Sequence, residues 1–272
     1  MTAPTFDLVA SRRRARMFRE RILEMSQNVS ALHIGGAFSC LEIVDTIYFS
    51  LMRNENGQLQ DTFLMSKGHG SLAQYVILEH LGILSRQDLD SYCQPGGRLG
   101  THPDFGTPGI EASTGSLGHG LAMAMGMALD DKVAGLDRVV YVVMSDGELQ
   151  EGSVWEALML APSLRLTNVI AFIDLNDMQS FGHTSVTHPN FYPVVDKLRA
   201  FGWETVDVDG HDAQALNAAV LGRTGGAPMA IVARTVKGKG VSYMENVPMW
   251  HYRSPSADEY QQALQDLARA AT

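Results

Sequence analysis

RVVYVVMSDGELQEGSVWEALMLAPSLRLTNVIAFIDLN, residues 138–176, contains two apolar runs separated by a segment long enough for one helix. The runs, residues 138–144 and 168–173, are rich in β-branched side chains, a pattern that predicts a βαβ unit with parallel strands. Asp146 follows the first run, and Asn176 follows the second thirty positions later. Ligands of open parallel sheets bind at the carboxyl ends of the strands. We therefore predict an α/β fold, with a central mostly parallel sheet, helices on both faces and a ligand site near these two residues.

The side chains at these two strand ends suggest what the ligand is. A carboxylate and an amide can hold Mg²⁺, which favours oxygen ligands and commonly takes one or two from protein and others from a phosphate. Gly147 would let a diphosphate approach the backbone, and a helix starting after it would favour the phosphate charge. The alternative is that Asp146-Gly147 is only the turn that ends a strand. The pattern predicts a Mg²⁺-bound diphosphate.

The bulk composition excludes several classes of protein. The net charge of −9 argues against a generic nucleic-acid or anionic-membrane surface. The apolar run at residues 121–129 is too short to span a bilayer, and the arginines at residues 12–16 precede no hydrophobic signal core. Cys40 and Cys93 form neither a disulfide framework nor a zinc set, which fits a reducing compartment. We expect a cytoplasmic protein with no nucleic-acid or membrane partner.

Local patterning predicts the remaining elements within one domain, residues 1–272. Glycine- and proline-rich segments at residues 94–109, 176–190 and 236–256 are expected to be loops. Further strands are predicted at residues 203–209 and 229–235. Helices are predicted at residues 6–28, 39–53, 71–82, 116–129, 211–222 and 257–271.

The spacing from Asp146 to Asn176 resembles the thiamine diphosphate-binding motif, which begins Gly-Asp-Gly and has an asparagine about thirty residues later. Ser145 stands at the first glycine, and we expect it to be tolerated if its φ is not positive. Further segments, in the right order between residues 15 and 253, resemble those of transketolases. They are His33–Gly36, Ser66–Ser71, Ser113–Gly120 and Gly210–Asp212.

The resemblance implies a cofactor and its ligands. Mg²⁺ (or Ca²⁺ or Mn²⁺) would be held by the side chains of Asp146 and Asn176 and by the carbonyl of Met178. Glu151 would lie at a subunit interface, although it could simply favour a helix macrodipole, and Leu117 could equally be plain core. The residues implied to bind thiamine diphosphate are His69, Gly115, Ser116, Leu117, Asp146, Gly147, Glu148, Glu151, Asn176 and His251.

The resemblance also gives roles to histidines that would singly be read as surface residues. His33 and His251 would contact the hydroxyls and carbonyl of a donor sugar. His69 would lie by the diphosphate and the reacting carbon, and His102 would line the substrate channel. Imidazole can relay protons near neutral pH and can hydrogen-bond sugar hydroxyls, both of which a ketol transfer requires. His119, where the family often has Gln, is expected beside the site.

A full transketolase has a diphosphate-binding, a pyrimidine-binding and a C-terminal domain, and the resemblance here covers only the first. The catalytic glutamate belongs to the pyrimidine-binding domain. We therefore expect the N-terminal subunit of a split transketolase, active with a C-terminal partner subunit in a heterotetramer, with sugar or sugar-phosphate substrates.

Other interpretations remain open. The chain could serve a related split enzyme for an unusual sugar, such as a sulfosugar or a branched pentulose. It could also be a non-catalytic thiamine diphosphate-binding or assembly subunit. The related 1-deoxyxylulose 5-phosphate synthase is a single long chain. A nicotinamide dehydrogenase and a P-loop nucleotidase are disfavoured because the sequence lacks their glycine-rich motifs.

Overall fold

The computed structural model describes residues 5–180 and 182–269. Its α-helices are α1 (Leu8–Ser26), α2 (Ile34–Thr46), α3 (Ser71–His80), α4 (Arg86–Asp90), α5 (Gly120–Val133), α6 (Gly152–Ser163), α7 (Thr184–Thr187), α8 (Val194–Ala200), α9 (Ala213–Leu221) and α10 (Ala257–Arg269). A π-helical turn, Ile47–Leu51, continues α2. Short 3₁₀ turns occur at Gly68–Gly70, Glu148–Gln150, Pro189–Phe191 and Pro248–His251.

A parallel sheet lies at the centre of the described residues, with the strand order β3-β4-β5-β9-β8. Two small antiparallel pairs, β1-β2 and β6-β7, lie outside it. The strands are β1 (Asn54–Glu55), β2 (Gln58–Leu59), β3 (Thr62–Met65), β4 (Val140–Ser145), β5 (Val169–Leu175), β6 (Met178–Gln179), β7 (Gly182–His183), β8 (Glu204–Asp209) and β9 (Met229–Arg234). The predicted α/β class is confirmed.

Helices cover both faces of the sheet. Every residue of β4 and β5 is buried, as expected for parallel strands between two helical layers. Tyr141 and Phe172 pack into a core with α1, α2, α3, α9 and α10. Val142 and Ile173 point the other way, into a second core with α5, α6 and α8. Alternate side chains of continuous apolar runs thus build two cores.

The predicted βαβ unit is β4-α6-β5. Ser145 pairs with Asp174 in the parallel register, and the N–H of Asp146 donates to the carbonyl of Asp174 at 3.2 Å. Asp146 and Asn176 therefore leave the sheet at neighbouring carboxyl ends, where the sequence predicted a ligand site.

Several element boundaries differ from expectation. Strand β3 was missed. Helix α2 begins at Ile34 rather than at residue 39, because Gly35 and Gly36 are buried helical residues rather than loop. Helix α5 begins at Gly120 rather than at residue 116, because Gly115 and Gly118 adopt positive φ values of 124° and 89°, which a right-handed helix excludes.

Two predicted segments also need qualification. The predicted loop 176–190 contains β6, β7 and α7. Helix α10 is described to Arg269, and the rest of the predicted helix, residues 270–271, lies outside the described residues.

One helical stretch is long and apolar enough to cross a bilayer by length and composition. This stretch, Ile34–Leu51, is 94% buried within the protein. Its burial against α1 and α3 identifies it as a core helix.

Candidate active site

A cavity of about 310 Å³ opens at the carboxyl edge of the sheet. Loops and turns that follow the strands, together with the start of α2, supply its wall. The lining residues are His33, His69, His102, Gly115, Leu117, Ser145, Gly147, Gln150, Glu151, Met178, Gln179, Ser180 and His251.

The four histidines singled out in the sequence meet in this cavity. The ring centroid of His33 lies 5.7 Å from that of His69, 5.8 Å from that of His102 and 5.3 Å from that of His251. His69 and His251 are 5.6 Å apart. Segments separated by as many as 218 positions in the sequence thus bring their imidazoles together.

Burial keeps most of these imidazoles uncharged. It lowers the pKa of His33 to about 4 and that of His251 to about 3, and the nearby cationic groups lower both further. The pKa of His69 is held well below its usual range for the same reasons. Neutral imidazole offers one donor and one acceptor. The buried Nδ1 of His33 has no hydrogen-bond partner within the described ranges, so a bound ligand or water is expected to supply one.

Asp146 is a fully buried carboxylate whose described donors are both neutral. The N–H of Gly147 donates to it at 2.8 Å and the Thr184 hydroxyl at 3.4 Å. Burial, and then the charge of Asp174, raise the pKa of Asp146 to about 7. A buried carboxylate beside a second carboxylate lacks a countercharge, which a divalent cation would supply.

Asn176 and Met178 lie one strand away. The Oδ1 of Asn176 accepts from the N–H of Met178 at 3.0 Å, and its Nδ2 donates to Asp174 at 3.2 Å. Residues 5–180 and 182–269 contain no cluster of three or more His, Cys, Asp or Glu side chains that could hold a metal. The available donors are one carboxylate, one amide and main-chain carbonyls, a set that suits Mg²⁺ completed by phosphate oxygens.

Gly147 lies on the cavity wall. A Cβ built there would meet no atom closer than 3.6 Å, that of Gln179, which also lines the cavity. Any side chain at this position would therefore occupy cavity space. The helix expected directly after Gly147 is instead the 3₁₀ turn Glu148–Gln150, and α6 begins only at Gly152, with Glu151 at its N-cap. This corrects the sequence expectation.

Ser145 fits its position without strain. It ends β4 and is not among the residues with positive φ. Its hydroxyl accepts a hydrogen bond from the N–H of Glu148 at 3.2 Å. The expectation that serine is tolerated here is confirmed.

The segment 115–118 forms another wall, held by contacts that require glycine. A Cβ on Gly115 would lie 2.6 Å from Cγ of His102. Leu117 lines the cavity, whereas Ser116 is exposed and does not. The ring of His119, beside the site as expected, approaches the carbonyls of Ser116 and Leu117 at 3.1 and 3.2 Å.

The two glutamates of the motif occupy different positions. Glu151 lines the cavity. Glu148 is buried behind it, where it accepts from the Ser66 hydroxyl and, at 3.0 Å, from the N–H of Gly118. Burial raises the pKa of Glu148. It thereby joins two of the loops around the cavity, and its predicted contact with the cofactor stays a prediction.

A buried ion pair beneath the cavity was missed from the sequence. Lys67 is fully buried, and its ammonium contacts the carboxylate of Asp174 and the carbonyl of Gly36, the latter at 2.9 Å. Although burial disfavours both charges, each partner stabilises the other, so the pKa of Lys67 is raised and that of Asp174 lowered. An aspartate inside the apolar run of β5 was the available signal, because a buried charge needs a partner.

Tyr252 and Lys237 are two further residues that the sequence did not single out. The ring centroid of Tyr252 lies 4.6 Å from that of His33. The Nζ of Lys237 lies 2.8 Å from Nδ1 of His251.

Comparison with known proteins agrees with this site. One of the subunits of apulose-4-phosphate transketolase from Phocaeicola vulgatus is 38% identical over 92% of this chain and 91% of its own length. The 6-deoxy-6-sulfo-D-fructose transketolase subunit SqwG from a Clostridium species is 37% identical over 94% and 95%. The crystal structure of Campylobacter jejuni transketolase superimposes with a TM-score of 0.90 at 27% identity, and this chain spans 43% of that longer chain.

The family described as transketolase, thiamine diphosphate binding domain, matches residues 11–269. Its match covers the segments that supply the histidines, the glycine turns and the strand ends described above. The chain therefore belongs to the transketolase family, as a thiamine diphosphate-binding domain.

Proposed function

We propose that this chain is the N-terminal subunit of a split transketolase. With a C-terminal partner subunit it would transfer a two-carbon ketol unit from a ketose to an aldose, using thiamine diphosphate and Mg²⁺. The observation that carries this proposal is the group of four neutral or cavity-facing histidines at the strand ends that present Asp146 and Asn176. Diphosphate binding alone would not need those histidines.

The metal and diphosphate would lie at the ends of β4 and β5. Asp146, Asn176 and the carbonyl of Met178 would hold the cation, and Gly147 would leave room for the diphosphate. Thiamine diphosphate, when bound, supplies the carbanion stabilisation that cleaving a carbon–carbon bond beside a carbonyl requires. Leu117 offers the cofactor an apolar surface.

The histidines would orient and protonate the substrate. With pKa values below neutrality, His33 and His251 can each donate one hydrogen bond and accept another at pH 7. His33 and His251 would hold the hydroxyls and carbonyl of the donor sugar. His69, close to both, would lie by the diphosphate, and His102 would bound the channel.

The charge of the cavity wall supports a second subunit. No lysine or arginine is among the described residues that line the cavity. The anionic end of a sugar phosphate or sulfonate would therefore need cationic groups from elsewhere. We assign these groups, and the glutamate that activates the cofactor, to the partner subunit.

The assembly that we propose is a cytoplasmic heterotetramer of two such chains and two partners. Large apolar side chains are exposed on α5 and α6, namely Leu129, Val133, Met159 and Leu160. Exposed apolar groups on adjacent helices are typical of an interaction surface, which supports self-association in addition to the partner contact.

An unusual sugar is the second candidate substrate. The two relatives compared above are named for apulose 4-phosphate and for 6-deoxy-6-sulfo-D-fructose. Both names describe sugars with an anionic end, although the anion and the carbon skeleton differ. A pentulose or hexulose phosphate, a branched sugar phosphate and a sulfosugar are therefore the donors to compare.

The test is co-expression with the C-terminal subunit of a two-chain transketolase, followed by ketol-transfer assays on these donors. We expect transfer that depends on thiamine diphosphate, Mg²⁺ and both chains. Asp146→Ala should abolish Mg²⁺-dependent cofactor binding while the circular dichroism spectrum is retained. Unchanged cofactor affinity in that variant would remove the metal assignment, and cofactor binding without transfer on any donor would favour a non-catalytic binding subunit.

A further inference from the structure

Lys237 is a buried cation that no carboxylate neutralises within the described residues. Its exposed fraction is 2%, and the hydrogen bond of its ammonium is to Nδ1 of His251 at 2.8 Å. Lys67, the other buried lysine beside the cavity, has Asp174 as its ion-pair partner. An unneutralised buried ammonium is costly, so its retention against an imidazole calls for an explanation.

The local backbone holds Lys237 against His251. The N–H of Gly238 donates to the carbonyl of Gly35 at 3.1 Å. A Cβ on Gly35 would lie 2.7 Å from the carbonyl oxygen of Trp250 and 3.3 Å from Cγ of Lys237. The start of α2 therefore packs directly on both members of the pair, and glycine at residue 35 permits that approach.

The chemistry of the contact determines which nitrogen of His251 carries the proton. Burial, and then the charge of Lys67, lower the pKa of Lys237 to about 8, so that the ammonium still predominates at pH 7. An ammonium only donates hydrogen bonds, so Nδ1 of His251 must accept. Since burial keeps this imidazole neutral, its proton lies on Nε2.

The Nε2 atom is on the opposite side of the ring from Lys237, and His251 lines the cavity. We propose that Lys237 is a positioning residue: its ammonium donates to Nδ1 of His251 and so presents Nε2–H to the cavity as a hydrogen-bond donor. The matching ligand atom is an acceptor oxygen, either of the diphosphate or of the donor sugar. The identity of this acceptor rests on the proposed function, whereas the tautomer does not.

The tautomer can be measured on this chain alone. Histidine labelled with ¹⁵N, observed in long-range proton–nitrogen correlation spectra at pH 7, reports which ring nitrogen is protonated, and His251→Gln assigns the signal. We expect the wild type to carry the proton on Nε2. Lys237→Met should give a mixture of tautomers, whereas Lys239→Met, which removes a partly exposed lysine two residues away, should leave the signal unchanged. A wild-type proton on Nδ1, or an unchanged tautomer in Lys237→Met, would overturn the proposal.

Two binding measurements identify the acceptor. Calorimetry of the chain with thiamine diphosphate and Mg²⁺ tests the diphosphate oxygen, and KM for the ketose donor in the two-subunit enzyme tests the sugar oxygen. A loss of about tenfold in Lys237→Met, the size expected for a hydrogen bond with a charged partner, should occur in one of the two. A changed tautomer with both affinities unchanged would show that Nε2–H meets no ligand, and would contradict the proposed role.

Discussion

At the scale of single residues, Asp146 couples metal binding to pH. Burial and the neighbouring Asp174 raise its pKa to about 7, so below that value a proton competes with the cation for the carboxylate. We predict that Mg²⁺-dependent affinity for thiamine diphosphate rises between pH 6 and pH 8 and that binding at pH 6 releases a proton from Asp146. Calorimetry in two buffers of different ionisation enthalpy measures that release.

The diphosphate also titrates in this range, so a variant is needed to separate the two groups. Asp146→Asn removes the carboxyl proton and leaves only the pH dependence of the ligand. If the wild type and Asp146→Asn release the same number of protons at pH 6, the assignment of Asp146 as a metal ligand is wrong.

The two buried lysines near the cavity should respond oppositely to the same substitution. Lys67→Met leaves the carboxylate of Asp174 buried without its cation, which should lower the free energy of unfolding by about 3–5 kcal/mol. Lys237→Met removes a cation that has no carboxylate partner among the described residues, so its free energy of unfolding should stay within about 1 kcal/mol of the wild type or exceed it. Urea denaturation at pH 7 compares them, and equal losses would contradict this account of the two charges.

At the scale of elements, Glu42 of α2 joins two other parts of the chain. Arg19 of α1 donates to its carboxylate at 2.6 and 2.8 Å, and Nδ1 of His211, just before α9, lies 3.0 Å away. Burial alone would raise the pKa of Glu42, but Arg19 and His211 lower it to about 2 from an ordinary 4.5. The stabilisation from this carboxylate is therefore complete above about pH 4.5 and is lost as the pH falls towards 2.

This linkage predicts the behaviour of Glu42→Gln. At pH 7 the variant should be less stable than the wild type, and the difference should shrink by up to about 3 kcal/mol as the pH falls through this window. Urea unfolding at pH 5 and pH 3 measures the difference, with exposed Glu55→Gln as the control. A difference that is constant with pH would contradict the linkage.

The turn before α5 depends on a glycine that the helix itself does not need. Gly115→Ala would place Cβ 2.6 Å from His102 in a backbone with φ +124°, costing about 1–3 kcal/mol. Gly126, exposed within α5 with no atom within 4 Å of its Cβ position, is the matched control. Gly126→Ala should raise stability by about 0.5–1 kcal/mol.

Thermal unfolding and cofactor titration compare these two variants. Gly115→Ala should lower both the melting temperature and the affinity for thiamine diphosphate, because Gly115 and His102 both line the cavity. Normal cofactor affinity in Gly115→Ala would show that the turn does not shape the site.

The sequence predicted elements wherever one apolar pattern sufficed. Strands β4 and β5 follow from continuous apolar runs, and the two motif residues follow from where those runs end. Strand β3 has only four residues, too few for a periodic signal. Lys67 and Lys237 could not be recognised as buried, since lysine in a loop is normally exposed and only the fold brings each to its partner.

At the scale of the whole molecule, the site is built by one chain but is not closed by it. The sheet edge, the four histidines and the glycine turns all come from the described residues, while the cavity wall carries no lysine or arginine there. Family membership and cavity position could be predicted from local motifs. The position of α2, which supports His33 and packs on Lys237, required the tertiary structure.

The most direct test of the split-enzyme account is to isolate this chain from its native source under gentle conditions, then determine its thiamine diphosphate content and identify any polypeptide that co-purifies. The account predicts stoichiometric cofactor and a second chain in equal amount, within a complex containing two copies of each. Cofactor-saturated, active protein made of this chain alone, or a lone chain without cofactor, would contradict it.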